Sequence, residues 1–217
     1  AIDEAETICV YGDFDADETT KAVSAMLSGW LSKQNYERIP RSGLVDLNAG
    51  TVKINTPDKA NAFLFAGGVI PLRDDDLDYP ALIIGNFIFG AGALSSRLGD
   101  RIRQKEGLSY GVGSAFTASA LDQRATITMY AIYNPLNLNK ITNAINEELD
   151  KLIADGVSQM ELDDARRGYL QRQEVMRTED ANLAQILEAT LLAGRTMEYY
   201  TKQEQAIETL TPAQIRD

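Results

Sequence analysis

Apolar positions along the chain follow two rhythms, one near the helical period and one that alternates. Between Asp17 and Leu31, the residues Ala22, Val23, Met26, Leu27, Trp30 and Leu31 form a paired i, i+4 stripe. Acidic Asp15, Asp17 and Glu18 stand at its dipole-positive end, so the spacing predicts an amphipathic helix capped by carboxylates. A longer stripe runs through Leu138, Ile141, Ala144, Ile145, Leu149, Leu152 and Ile153 and stops at Gly156. Ser158-Gln-Met-Glu161 then has the form of a capping box, which opens another helix by satisfying its first free N–H groups. Further helices are expected near 180 to 193 and 196 to 208. Thr211-Pro212 reads as an N-cap and N1 proline, with five residues left in the chain.

The alternating rhythm predicts strands at Thr7 to Tyr11, Thr51 to Asn55, Ala60 to Ile70, Leu108 to Ala118 and Arg124 to Tyr133. Pro57-Asp58 and Leu121-Asp122-Gln123 mark turns between neighbours, and residues 34 to 50 read as a connection. Two helices separate the strand pairs. One runs from Tyr79 to Phe89 and is stopped by Gly90-Ala-Gly92; the other runs from Ser95 to Lys105 and is closed by Gly107. Strands arriving in adjacent pairs predict an α+β fold with an antiparallel or mixed sheet of five to six strands covered by helices. No repeat, low-complexity tract or linker divides residues 1–217, so one domain is expected.

Composition narrows the function. Lys and Arg total 21 against 32 Asp and Glu, a net charge of -11, which argues against nonspecific binding of nucleic acid or anionic membranes. Histidine is absent and Cys9 is the only cysteine, so the chain carries no conventional zinc centre, no Ser-His centre and no internal disulfide. The longest apolar runs, such as Ala62 to Val69, fall well short of the roughly 20 residues of a membrane span. Ala1-Ile-Asp-Glu has no start Met, basic region or apolar core of a signal peptide and reads as a processed or excised end.

Several clusters invite a chemical reading. Asp13-Phe-Asp15-Ala-Asp17-Glu18 opens like a calcium loop, but Glu18 replaces the turn glycine and Ser24 the bidentate Glu, which favours helix capping. Asp74-Asp75-Asp76 with Asp78 reads as a solvated loop that caps the next helix rather than a cation site. Gly90-Ala-Gly92 lacks the context of a phosphate loop. The stretch from Leu94 to Gly111 carries more. A tight turn at Gly107 can bring Arg103, at a helix end, beside Tyr110, at a strand start, and both side chains donate hydrogen bonds. Two converging donors suit an oxygen that becomes negative during attack on a carbonyl. The plainer alternative is that Arg103 serves the helix dipole or an ion pair. Arg101 and Lys105 read as solvated charges, and Ser95 and Ser96 as caps.

The order of these pieces resembles the second, non-zinc half of pitrilysin/insulinase-type zinc metallopeptidases, the group that includes mitochondrial processing peptidase. The likeness rests on Gly12-Asp13-Phe-Asp15, Asp78-Tyr-Pro-Ala-Leu82, Leu94-Ser-Ser-Arg-Leu98, Arg103-Gln-Lys-Glu-Gly-Leu-Ser-Tyr110, Gly156-Val-Ser-Gln-Met-Glu-Leu162 and Leu210-Thr-Pro212. It implies a clam-shell whose other half carries zinc on an HxxEH motif and binds the peptide substrate. In this half, Arg103 and Tyr110 match the Arg-x6-Tyr pair that reaches the substrate carbonyl. The resemblance carries over no zinc ligand, places the zinc cofactor in the partner half and the general base outside this chain, and points to the periplasm or cell envelope only because bacterial relatives are commonly envelope proteins; the residues themselves name no compartment. Family members that serve as scaffolds in respiratory assemblies keep a non-catalytic alternative open.

Overall fold

In the computed structural model, residues 8–30, 37–41 and 48–216 are described. The chain divides into two compact units, Ala1–Pro40 with Gln171–Lys202, and Arg41–Leu170 with Gln203–Asp217. The second unit holds the sheet. Strands β1 (Ala62–Ile70), β2 (Ser109–Ala118) and β3 (Ala125–Tyr133) are antiparallel in the order β1-β3-β2. The fold is α+β, as expected. Among the described residues, however, the sheet has three strands rather than five to six. Thr51 to Asn55 forms no strand, with Val52 and Ile54 at 86% and 80% exposure, so its alternation meets no buried face. Residues 8–11 form none either, and Thr7 lies outside the described residues.

Helix α1 (Ala16–Leu27) belongs to the first unit and starts as its acidic end predicts: Asp15 accepts the Glu18 N–H at 2.8 Å. Its stripe is only half-buried at Val23 and Leu27, while Met26 and Trp30 are exposed. Leu31, the last predicted stripe position, lies outside the described residues. Helix α2 (Tyr79–Asn86) passes into a π-helical turn at Phe87–Ala91. The acidic loop before it does not cap it as expected. Arg73 forks onto Asp75 at 3.0 and 2.6 Å, and Asp76 turns back to accept the Asp78 N–H at 3.0 Å. Helix α3 (Leu138–Asp155) follows β3 and ends at Gly156, whose φ of 69° is the left-handed conformation that glycine adopts without strain.

Helix α4 (Gln159–Arg177) begins with the predicted capping box: the Ser158 N–H and hydroxyl both donate to Glu161, and the Glu161 N–H donates to Ser158 at 3.2 Å. Helices α5 (Asp180–Leu192), α6 (Glu198–Glu208) and α7 (Pro212–Arg216) complete the chain. Two apolar clusters fill the second unit. One joins Phe89, Leu98 and Ile102 to Ala131 and Tyr133 of β3 and to the buried face of α3 at Ile141, Ala144 and Ile145. The other joins Ile84 and Ile88 to Val157, Leu162 and Ala165, with Ile207 and Leu210 from the C-terminal segment.

Gly90 does more than end a helix. A Cβ there would lie 2.6 Å from the Ser114 nitrogen, so only glycine lets the π-turn lie on β2, where the Ser114 hydroxyl donates to Asn86 at 2.7 Å. Gly90→Ala is therefore expected to overpack this contact and cost about 1–3 kcal/mol, read as a lower urea midpoint at unchanged m-value.

Candidate functional site

The segment between Leu98 and Tyr110 is built around what it buries. Leu98 and Ile102 are fully buried, and each contributes about 1.5–3 kcal/mol of apolar burial to hold the turn against β3 and α3. The predicted helix begins with a 3₁₀ turn at Ala93–Ser95 and becomes π-helical over Gly99–Lys105. Ser96 caps it as expected, accepting the Gly99 N–H at 3.1 Å. The π-turn is closed by the Glu106 N–H donating to the Arg101 carbonyl at 3.0 Å, and the Leu108 N–H donates to the Ile102 carbonyl at 2.9 Å. Gly107, with φ of 59°, reverses the chain into β2.

Tyr110 enters at a β-bulge. Ser109 pairs with Tyr133 and Gly111 with Ile132, which leaves Tyr110 as the extra residue. The buried Ser109 hydroxyl lies 2.8 Å from the Gly111 carbonyl and 2.7 Å from the Ile132 carbonyl and can donate to either, which supports the irregular ladder. The phenol is thrown outward, with Tyr110 84% exposed.

The turn brings the two predicted side chains together: the Arg103 guanidinium carbon sits 5.8 Å from the centre of the Tyr110 ring. That is near the outer reach of a cation–π contact, worth about 0.5–1 kcal/mol at an exposed position. Neighbouring cations are committed elsewhere. Arg97 donates to Glu161 at 3.0 Å and to the Gly156 carbonyl at 2.9 Å, and Lys105 pairs with Asp100 at 2.6 Å. Arg103, exposed, has no hydrogen-bond or ion-pair partner among the described residues, so the ion-pair alternative for it finds no support there.

Arg101 corrects the expectation of a solvated charge. It donates to Glu106 at 2.9 Å, to Glu147 at 2.6 Å and to Glu148 at 2.9 Å, with its side chain 21% exposed. The hydrogen bonds to Glu106 and then Glu147 push its pKa up, against the pull of burial. Sequence reasoning missed this cluster although a signal was present. Glu148 lies on the buried stripe of α3, four residues from Ala144 and three from Ile145, and a buried carboxylate needs a cation. Desolvation works against Glu148 ionising, but hydrogen bonds from Lys151 and Arg101 outweigh it and hold its pKa below the ordinary carboxylate value. Glu161 is likewise desolvated yet held low by Arg97 and Ser158. These charges line a depression of about 490 Å³ in which they largely satisfy one another.

The residues present do not fit a zinc centre. The chain has no histidine, and no group of three or more Cys, Asp or Glu among the described residues can hold a metal ion. No helix is long and apolar enough to cross a membrane among the described residues.

A small antiparallel sheet backed by helices thus presents an exposed Arg-x6-Tyr pair, with no metal-ligand set among the described residues. The chain belongs to the peptidase M16 family: residues 6–169 match the domain described as the peptidase M16 inactive domain. It is 26% identical over 180 residues to an uncharacterized zinc protease of Mycobacterium leprae, covering 82% of this chain and 39% of that one. It is 28% identical over 169 residues to a non-peptidase homolog of Helicobacter pylori, covering 77% of this chain and 37% of that one. The crystal structure of a peptidase M16 inactive domain from Pseudomonas fluorescens matches with a TM-score of 0.63 and 25% identity, covering 73% of this chain and 37% of that one. The chain thus spans about two fifths of the length of the curated relatives it matches.

The depressed carboxylates Glu148 and Glu161 give the fold an acid-sensitive contribution to its stability. Their ion pairs stabilise it above the unfolded-state carboxylate range, and the contribution is lost as pH falls through the lower folded values. Urea midpoints are expected to drop between about pH 5 and about pH 3, and a Glu148→Gln, Glu161→Gln double variant is expected to flatten that drop.

Proposed function

We propose that this chain is the substrate-facing, transition-state-stabilising half of a zinc-dependent endopeptidase whose HxxEH motif lies in another domain or subunit. Residues 1–217 act in this reading as one functional half, facing a zinc-bearing half across a peptide-binding cavity. The observation that carries it is the state of Arg103: exposed, over the Tyr110 ring, and without an ion pair among the described residues while Arg97, Arg101 and Lys105 each have one.

In this reading the zinc and its ligands belong to the other half, where the metal would activate the attacking water. What Arg103 and Tyr110 supply is a pair of donors for the carbonyl oxygen of an extended peptide. Their hydrogen bonds strengthen as that oxygen gains charge, so they lower the barrier more than they tighten ground-state binding. An anionic site would repel such an oxygen in a chain of net charge -11, and a guanidinium at this spot supplies the positive potential.

The second reading is a scaffold that keeps the fold without proteolysis, and the non-peptidase relative from Helicobacter pylori favours it. An HxxEH reading frame next to the coding segment, or its absence, separates the two. In the assembled enzyme Tyr110→Phe is expected to lower kcat about 10- to 1000-fold with zinc content unchanged; an unaltered rate would sink the proposal. The isolated chain is expected neither to cleave a quenched peptide nor to retain zinc stoichiometrically, which a fluorescence assay and elemental analysis measure.

A further inference from the structure

Arg103 stands in a backbone conformation that does not stabilise itself. A π-turn is a rare, single-turn departure from the α-helix and needs tertiary contacts to hold it. In Gly99–Lys105 the closing hydrogen bond runs from the Glu106 N–H to the Arg101 carbonyl, and the same two residues are joined a second time through their side chains at 2.9 Å. The two remaining arms of the Arg101 guanidinium reach Glu147 and Glu148 on α3. Both ends of the stretch that contains Arg103 are therefore tied to each other and to a helix packed in the core. An arginine suits this task because its planar fork reaches three carboxylates in fixed directions, which a lysine ammonium cannot reproduce.

We infer that Arg101 is a positioning residue: its three-carboxylate clamp holds the π-turn that presents Arg103 beside Tyr110. The inference rests on the proposed function for its catalytic consequence but not for its structural one. It assigns a role to Arg101, Glu106 and Glu148 among the charges that line the depression. Glu106 is the outer arm of the clamp, exposed and bonded to Arg101 alone among the described residues, so its removal tests the idea with little risk to the fold.

The test uses the 217-residue chain carrying Arg101→Met, Arg101→Lys or Glu106→Gln, with nitrogen-15 NMR of the Arg103 Nε–H group and its ring-current shift from Tyr110. Tyr110→Leu defines the signal without the ring. Arg101→Met is expected to lose at least half of that shift, with Arg101→Lys and Glu106→Gln falling between it and the parent. A folded Glu106→Gln chain whose Arg103 signal is unchanged, or an Arg101→Met chain that only melts earlier, overturns the inference. In the assembled enzyme, Arg101→Met is expected to lower kcat about 10-fold with KM held within about twofold, whereas a merely stabilising residue would leave both unchanged below the melting range. If the parent assembly cleaves no peptide, the proposed function fails while the NMR arm still decides the role of Arg101.

Discussion

The burial of Leu98 and Ile102 is the constraint on which the site depends. Both side chains are sunk completely into the cluster formed by β3 and α3, so the segment that carries them cannot rotate without exposing apolar surface. Once that side is anchored, Arg103 is turned to solvent. Gly107 reverses the chain, and the bulge after Ser109 turns Tyr110 outward as well. Two residues seven positions apart thereby reach one patch of surface with no direct bond required between them.

Charge partitioning around the turn follows the same logic. An exposed ion pair contributes little to stability, whereas a buried carboxylate without a cation is costly, so partners go first to the desolvated groups. Glu148, on the buried face of α3, takes Arg101 and Lys151; Glu161, part of a cap, takes Arg97. Among the described residues Arg103 is left with an aromatic face and no ion-pair partner. Such a group stabilises the chain very little.

Much of the architecture was legible because the governing effects are local. The stripe of α3, the Ser158–Glu161 box and the stop at Gly156 lie where the periodicity and capping rules put them. The juxtaposition of Arg103 and Tyr110 was also legible, since a glycine turn between a helix end and a strand start leaves few arrangements. Strand number was not. Thr51 to Asn55 alternates well, but alternation records only that a segment could cover an apolar face, and Val52 and Ile54 face solvent. The π-turns were equally hidden, because the apolar spacing of an α-helix and of a π-turn differs by less than one residue over such a short segment.

The amino-acid order by itself determined the α+β class, the helix caps, the lack of histidine ligands and the pairing of a guanidinium with a phenol, because each depends on residues within a few positions of one another or on composition alone. Only the tertiary structure decided which arginine is spent and which has no ion pair among the described residues. Arg97, Arg101 and Arg103 are alike in sequence and share one short segment; what separates them is the position of Glu161 and Glu148, more than forty residues away, and the energy of burying a charge acts only after the fold has brought those partners into reach.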